Sequence, residues 1–564
     1  MRRPWPAIAP TALFLPTALL VGCLQAPPAG GEPTGPQDAV ISEGEVIQPA
    51  RSLVGLYEVG QVRAFEFMQL GEVIGRSWGR YEGTVEVDGR KLHQFSTKIE
   101  LLPPGGKPLR WASQLLLDDQ GNLVSGWERS IAAELRFDVT GDGSQDKVLR
   151  IDADAGLEDI EHEELGFADG TAFMGYMSTI HEELMLALRQ LTVGENSWRL
   201  ISLSAGRADE WSAKVSQKGK TLVLETSLGE EIWLEEGRIA RIEVREDELL
   251  ITPLAAQMAR WPEWEVTGPQ ALTYNEPEGA HFVIRPVELP GQGDDAALYG
   301  EVLVPDPALA GPGPFPAVVF LGGSVSADRH GFAGPPAVDL GYHEISDALA
   351  EAGFVVIRYD ERGIGQSAPA PASWVGQQED AQRAFRTLLV QPEVDPDHIL
   401  VVGHAEGGWR ALALAHMRPK EVVGVILLAT PGRSYRELFA TSPDILAALE
   451  SGKNLPKNLE PMAQWYGEIL VEDPDALIFK TRAPIWLAQG GRDFEVDPVK
   501  DVAALQAAAT KYKRKLTVKR FPELDHHFKY ASEGANHASY LEKRAVDRAF
   551  LKDLVDWARE AVGR

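Results

Sequence analysis

Cysteine is almost absent from this chain of 564 residues, since Cys23 is the only one. An intramolecular disulfide needs two thiols and a cysteine-based metal site needs several, so both are excluded. Positive charge is also scarce: 55 lysine and arginine residues stand against 83 aspartate and glutamate residues, giving a formal net charge of −28. Without a basic stripe to displace counterions from phosphates, nucleic acid is not an expected partner.

Long apolar runs are missing as well. The first apolar stretch, residues 7–21, is short and interrupted by proline, which makes it a poor membrane span. Arg2 and Arg3 precede it, as the basic residues of a secretory signal do. An apolar content of 44% and a charged content of 24% are those of a globular protein, and the length predicts at least two domains.

The sequence around Cys23 indicates how the chain is processed. L-V-G-C, residues 20–23, resembles the cleavage box of bacterial lipoproteins. The resemblance implies that residues 1–22 are removed and that Cys23 is lipidated, which would anchor the protein in the bacterial cell envelope on the extracytoplasmic side. Leu24 would then permit sorting to an outer membrane. Residues 23–45 would comprise the lipidated cysteine and a flexible tether. The alternative is an ordinary signal peptide with an incidental cysteine.

Turn signals between alternating apolar and polar segments predict a β-rich domain over residues 46–265. Asp-Gly at 88–89, Gln-Gly at 120–121 and Glu-Gly at 236–237 each separate two such segments, as in hairpins. One helical pattern, residues 176–191, interrupts them, so we expect an antiparallel sheet packed on one helix. The domain contains no evident catalytic constellation, which favours a scaffold or a ligand-binding module.

Residues 138–146 resemble a calcium-binding loop. Asp138, Asp142 and Asp146 are spaced by four, and Gly143 suits a sharp turn. The third and twelfth positions, however, lack the ligands that such loops carry. A polar hairpin tip is the alternative interpretation.

From residue 275 to residue 564, apolar strand-like segments alternate with helical ones, which predicts an α/β domain with a mostly parallel sheet flanked by helices. Strands are expected at residues 298–305, 316–321, 354–359, 399–402, 424–429 and 484–489, and helices at 344–354 and 540–558. Residues 431–479 are helical in pattern and longer than a crossover requires, so we expect a helical cap insertion over the site.

Several motifs follow the predicted strands of this domain. In chain order they are L-G-G-S (321–324), R-Y-D-E-R-G-I-G-Q-S (358–367), V-V-G-H-A-E-G-G-W (401–409), G-G-R-D-F-E-V-D (490–497) and F-P-E-L-D-H-H-F (521–528). The third has the strand–turn–helix layout and the two glycines of a nucleophile elbow. Together they resemble the α/β-hydrolase superfamily, in particular bacterial esterases and serine aminopeptidase-like hydrolases.

The resemblance implies a role for each matching position. Ala405 stands where the family carries its nucleophilic serine, Asp493 matches the acid, and His526 matches the base, with His527 as the second choice.

Two further sets of roles are implied. Backbone N–H groups of Gly323, Ser324 and Glu406 would form the oxyanion hole. Asp360 and Arg362 would lock the loop beside the site.

The methyl group of Ala405 cannot attack a carbonyl, and loss of such a nucleophile lowers the rate by about 10⁶-fold. We therefore expect an acyl-hydrolase fold with little or no Ser-dependent hydrolysis, which retains a cleft for a small acyl, ester or peptide ligand and needs no cofactor or metal. An active hydrolase is the alternative, using Ser324, Ser326 or water activated by His526. Two other possibilities are that Ala405 was introduced into an active serine enzyme, and that the β-rich domain carries all function.

Overall fold

The computed structural model describes residues 44–103, 108–141, 147–156, 161–168, 171–175, 178–203, 206–245, 247–269, 271–291, 297–323, 327–334, 337–368, 370–453, 455, 459 and 462–564. The chain divides into two compact units, Met1–Ala271 and Leu272–Arg564. Across these described ranges, no helix combines the length and the apolar character needed to cross a membrane.

The N-terminal unit is built on a sheet of 15 described strands in the order β10-β12-β13-β14-β15-β16-β17-β2-β3-β4-β5-β6-β7-β8-β9. Neighbouring strands are antiparallel, except that β10 and β12 run parallel; β1 pairs with β11 separately. The bounds are β1 Val46–Gln48, β2 Val62–Gln69, β3 Glu72–Val87, β4 Arg90–Leu101, β5 Leu109–Leu117, β6 Leu123–Ser130, β7 Glu134–Thr140, β8 Lys147–Asp154, β9 Glu161–Phe167, β10 Ala172–Met174, α1 Thr179–Leu188, β11 Leu191–Thr192, β12 Gly194–Ser202, β13 Arg207–Lys218, β14 Thr221–Thr226, β15 Glu230–Glu235, β16 Arg238–Val244 and β17 Leu249–Pro253.

The prediction of a large antiparallel sheet in this half of the chain is confirmed. Helix α1 packs against β3, β10 and β16, and most of its side chains are buried. Glu183 on this helix is fully buried and accepts hydrogen bonds from Arg63, from Arg238 and from the N–H of Ile239. A buried carboxylate is stable only when paired in this way.

The suggested calcium loop is described only in part. Asp138 lies within β7 opposite Arg150 of β8. Asp142 and Asp146 lie outside the described residues.

The C-terminal unit contains an eight-stranded sheet in the order β18-β19-β23-β20-β24-β25-β26-β27. The first two strands are antiparallel to their neighbours and the rest are parallel. The bounds are β18 Phe282–Leu289, β19 Leu298–Pro305, α2 Pro307–Ala310, β20 Phe315–Leu321, β21 Phe332–Ala333, β22 Val338–Asp339, α3 Tyr342–Glu351, β23 Val355–Tyr359, α4 Trp374–Leu389, β24 Val394–His404, α5 Gly407–Met417, β25 Val422–Leu428, α6 Tyr435–Leu438, α7 Pro443–Ser451, α8 Ala463–Ile469, α9 Pro474–Lys480, β26 Ile485–Gly490, α10 Lys500–Lys511, β27 Leu516–Phe521 and α11 Arg548–Ala561.

The central strands of this sheet are buried on both faces, and every residue of β20 and β23 is buried. This is why their sequences are continuous apolar runs rather than alternating ones. One core layer contains Trp374, Trp409 and Trp465, and the other contains Tyr342 and Phe550. Within residues 431–479 the described segments include the short helices α6 to α9.

The last helix differs from the prediction of 540–558, because α11 begins only at Arg548. Asp547 caps it by accepting a hydrogen bond from the N–H of Phe550, and Val546 forms a β-bridge with Lys529. Because a residue in an extended β-bridge cannot be helical, this tertiary contact makes the helix begin later than its sequence pattern predicts.

Candidate active site

The elbow lies between β24 and α5, and Ala405 is its central residue. Ala405 has a positive φ of 49°, a conformation that costs a non-glycine residue about 1 kcal/mol and typically occurs at functional turns. A Cβ on Gly403 would overlap the backbone oxygen of Gly407, and one on Gly407 would overlap that of Gly322. The two glycines of the motif are therefore required by close backbone approach.

The loop after β20 lies beside the elbow. A Cβ built on Gly323 would come within 3.1 Å of the Cβ of Ala405. The N–H of Gly323 donates to the hydroxyl of the buried Tyr342 at 3.1 Å. Its role in an oxyanion hole stays a prediction. Ser324, also predicted to contribute an N–H, lies outside the described residues.

Asp493 and His526, predicted from separate motifs, are hydrogen-bonded to each other. His526 Nδ1 lies 2.9 Å from Asp493 Oδ2, and both residues are almost completely buried. Asp493 is held by the N–H groups of Glu495 and Val496, each at 2.9 Å, and by the side-chain amide of Gln489 at 2.7 Å. Burial opposes ionisation of Asp493, but the neighbouring His526 and these donors keep its pKa below the usual value.

A second carboxylate lies on the other side of the imidazole. Glu495 Oε2 is 3.7 Å from His526 Nε2, the nitrogen that faces the nucleophile in a serine triad. Burial disfavours the charged ring, but Asp493, Glu495 and, more weakly, Glu406 outweigh burial and raise the pKa of His526 to about 10. These carboxylates therefore favour the charged form of the ring, in which it cannot act as a base.

His527, the second choice for the base, has a different environment. Its backbone N–H donates to Asp525, and its ring packs against Tyr540 at 4.5 Å between centroids. Burial, followed by the charge of His526, lowers its pKa well below the usual value. The acid Asp493 bonds to His526 instead.

Glu406, the residue after Ala405, has a buried side chain. Its carboxylate accepts a hydrogen bond of 2.7 Å from the hydroxyl of Tyr435. The charge of this carboxylate also contributes to the raised pKa of His526. The backbone of Glu406 precedes the first turn of α5.

Arg410, in the first turn of α5, holds the loop after β20, which contains Gly322 and Gly323. It is buried, and its guanidinium donates to the backbone oxygens of Gly322 at 2.5 Å and Gly323 at 3.1 Å. The guanidinium also lies 3.4 Å from the buried carboxylate of Glu361. Sequence reasoning missed Arg410, although a charged residue in an otherwise apolar helix was an available signal.

Asp360 and Arg362 stabilise the neighbouring loop through separate partners. Asp360 accepts from the backbone N–H and the guanidinium of Arg329. Arg362 pairs with Asp380 at 2.5 Å. Both side chains thus attach the motif to surrounding elements.

One group of described side chains has the composition of a metal site. Single ligand atoms of Asp339, His343 and Glu344 lie within 4.8 Å of one another. Lys529 Nζ, however, donates to the backbone oxygen of Asp339 at 2.7 Å and lies 3.1 Å from its carboxylate. Glu344 accepts from the N–H of Val546 at 2.5 Å. The ammonium group of Lys529 thus already balances the negative charge of Asp339, as a metal ion would.

Two family models match parts of the C-terminal unit. Residues 340–477 match the family model described as Serine aminopeptidase, S33, and residues 446–561 match that of the Dienelactone hydrolase family. The C-terminal unit is of the α/β-hydrolase type. Esterase EstD of Thermotoga maritima is 24% identical to this chain over 280 residues, which is 46% of this chain and 65% of that protein. Uncharacterized protein YfhR of Escherichia coli O157:H7 is 27% identical over 118 residues, 20% of this chain and 41% of that protein.

Solved structures also resemble this hydrolase-type unit. The Pyrococcus furiosus esterase Pf2001 is 17% identical, with a TM-score of 0.36, and the match covers 52% of this chain and 96% of that one. Est1E from Butyrivibrio proteoclasticus is 14% identical, with a TM-score of 0.34, over 50% and 99% of the two chains.

Proposed function

We propose that the hydrolase-type unit is a binding site derived from an ester or peptide hydrolase, with little or no Ser-dependent hydrolysis. The observation that carries this proposal is the methyl group of Ala405 at the centre of the elbow, together with the hydrogen-bonded pair of Asp493 and His526. His404, the residue before Ala405, bonds to the backbone oxygen of His526. Without an attacking oxygen, about 10⁶-fold in rate is lost, or roughly 8 kcal/mol of transition-state stabilisation. Binding does not depend on that oxygen.

The ligand we propose is a small acyl compound, an ester or a peptide. This proposal is supported by the similarity of the chain to serine aminopeptidases, to dienelactone hydrolases and to an esterase. We further propose that residues 431–479 cover the ligand as a cap, because Tyr435 of this segment bonds to Glu406 next to Ala405.

The protein is proposed to act at the bacterial cell envelope, attached by lipid on Cys23. This proposal is supported by the sequence of residues 1–45, of which Cys23 and its surroundings lie outside the described residues. Anchoring and binding are separate proposals, and each has its own test.

An active hydrolase is the alternative, with Ser324, Ser326 or an activated water replacing the missing serine. The two serines lie outside the described residues. Activation of water by His526 requires a neutral ring at working pH, which the flanking carboxylates oppose.

The test is hydrolysis of p-nitrophenyl acetate and butyrate by the parent chain, by His526→Ala, by Ala405→Ser and by Ala405→Ser/His526→Ala. We expect the parent to equal the background, and Ala405→Ser to gain activity at alkaline pH that His526→Ala removes. Activity of the parent that His526→Ala abolishes would establish the alternative. No gain in Ala405→Ser at any pH would contradict a preserved site.

A further inference from the structure

Glu495 is a second acid beside His526. A serine triad uses only one acid, which bonds to the Nδ1 side of the histidine. The loop from Asp493 to Val496 turns back on the first carboxylate, because the N–H of Glu495 donates to Asp493 Oδ1 at 2.9 Å. This turn directs the Glu495 side chain toward the far nitrogen of His526, at 3.7 Å. The Glu495 side chain is about one-third exposed, at 31%, whereas the His526 side chain is 4% exposed.

The geometry points to Glu495 as a positioning residue for His526: its carboxylate takes the side of the imidazole that a nucleophile would occupy and holds the ring as a cation. This inference rests on the proposed function, since it concerns the same cleft. Asp493 and Glu495 flank the ring on its two nitrogens, so a charged imidazole gains an opposite charge at each side.

The other titratable groups around the ring do not remove its preference for the charged form. The groups that face or electrostatically contact His526 are Asp493, Glu495, Glu406, His404, His527 and His537. Tyr540 interacts with Glu495 and packs on His527. Burial lowers the pKa values of all three neighbouring histidines, which therefore stay neutral at pH 7. Burial and the nearby acids raise the pKa of Tyr540, so its phenol also stays neutral.

This arrangement defines the chemistry that the ligand must offer. The separation of 3.7 Å exceeds a hydrogen bond, so the contact with Glu495 is an ion pair and the Nε2–H of His526 can still donate elsewhere. A cationic ring donates and cannot accept. The matching ligand group is an acceptor oxygen, such as the carbonyl of an ester or amide.

A second consequence is that two changes, not one, separate this site from a serine hydrolase. Ala405→Ser alone would restore the hydroxyl next to a ring that cannot take its proton at neutral pH. Ala405→Ser/Glu495→Gln would restore both parts.

The test is an NMR titration of the histidine rings in the full chain, labelled at ¹³Cε1 and with the His526 signal assigned by His526→Gln. We expect the parent signal to stay in its charged position from about pH 6 to pH 9. In Glu495→Gln the midpoint should fall by about one pH unit or more. The matched control is Glu523→Gln, whose largely exposed carboxylate belongs to the loop that carries His526, and it should not move the midpoint.

Activity provides an independent readout. The rise of kcat/KM with pH in Ala405→Ser, which follows deprotonation of His526, should shift to lower pH when Glu495→Gln is added. A parent midpoint near 6.5, or equal midpoints in the parent and Glu495→Gln, would overturn the role of Glu495. A shifted midpoint with no hydrolysis by Ala405→Ser/Glu495→Gln at any pH would instead count against the proposed function alone.

Discussion

The Nε2–H of His404 donates to the backbone oxygen of His526 at 2.9 Å. Because a carbonyl can only accept, this bond fixes the tautomer of His404, whose Nδ1 accepts from the hydroxyl of Tyr342 at 3.1 Å. The phenol oxygen in turn accepts the N–H of Gly323. Burial, followed by the charge of His526, lowers the pKa of His404 to about 3, so the ring stays neutral. Three directed hydrogen bonds thus join the glycine loop to the histidine loop.

Replacing Tyr342 with phenylalanine should break this chain in the middle. Buried donors and acceptors on Gly323 and His404 would lose their partner, at a cost of about 1–3 kcal/mol in the free energy of unfolding. Urea unfolding measures the loss. Tyr299→Phe is the matched control, because Tyr299 is exposed and its change should stay within about 0.5 kcal/mol. Equal effects of the two substitutions would contradict the role given to Tyr342.

Substitution of Gly407 tests the close approach at the elbow. A Cβ at this position would lie 2.5 Å from the backbone oxygen of Leu321 and overlap that of Gly322. We expect Gly407→Ala to destabilise the protein by about 1–3 kcal/mol, as overpacking does. Gly467→Ala, in α8 with open space around it, should instead be neutral or stabilising by up to about 1 kcal/mol. Thermal unfolding compares the two variants, and a tolerated Gly407→Ala would show that the loops do not pack as described.

The charge on His526 predicts how stability changes with pH. Burial works against the cation, but Asp493 and Glu495 raise the folded-state pKa to about 10, whereas an unfolded histidine titrates near about 6.5. The contribution is complete below about pH 6.5 and is lost as the pH rises toward about 10. The free energy of unfolding should therefore decline more steeply across this window in the parent than in His526→Gln. Parallel curves from urea titrations at several pH values would rule this out.

Lipid attachment is tested by Cys23→Ser. In a bacterial host the parent should incorporate radioactive palmitate and sediment with membranes, because an acyl anchor adds about 0.8 kcal/mol of membrane affinity for each buried CH₂ group. Cys23→Ser should remain unlabelled and appear in the soluble fraction. Membrane attachment that survives this substitution would refute the lipoprotein proposal.

Local chemistry explains which parts of the fold could be predicted. Asp88 and Gly89 both adopt a positive φ, of 51° and 74°, in the hairpin turn between β3 and β4, and an Asp-Gly pair favours that conformation. The strand predicted at 298–305 coincides with β19, because its apolar run reflects burial. Such features are determined by residues that are close in sequence, so a sequence pattern can predict them.

The parts that escaped prediction depend on distant neighbours. The bond between His404 and His526 joins positions 122 residues apart, and the ion pair of Glu495 with His526 depends on how two loops meet. Motif order predicted that Asp493 and His526 would converge, because both follow parallel strands whose carboxyl ends share one edge of the sheet. No pattern in the sequence indicated the donor preferences of Tyr342 or the side-chain direction of Glu495.

The most direct measurement of the central claim is the intact mass of the protein after treatment with a fluorophosphonate, at about pH 9. Such a probe forms a covalent bond only with an activated nucleophile. The parent chain should gain no mass, and Ala405→Ser/Glu495→Gln should gain one adduct at position 405. An adduct on the parent chain, or none on the double variant, would contradict the account of a preserved site that lacks only its nucleophile and a neutral base.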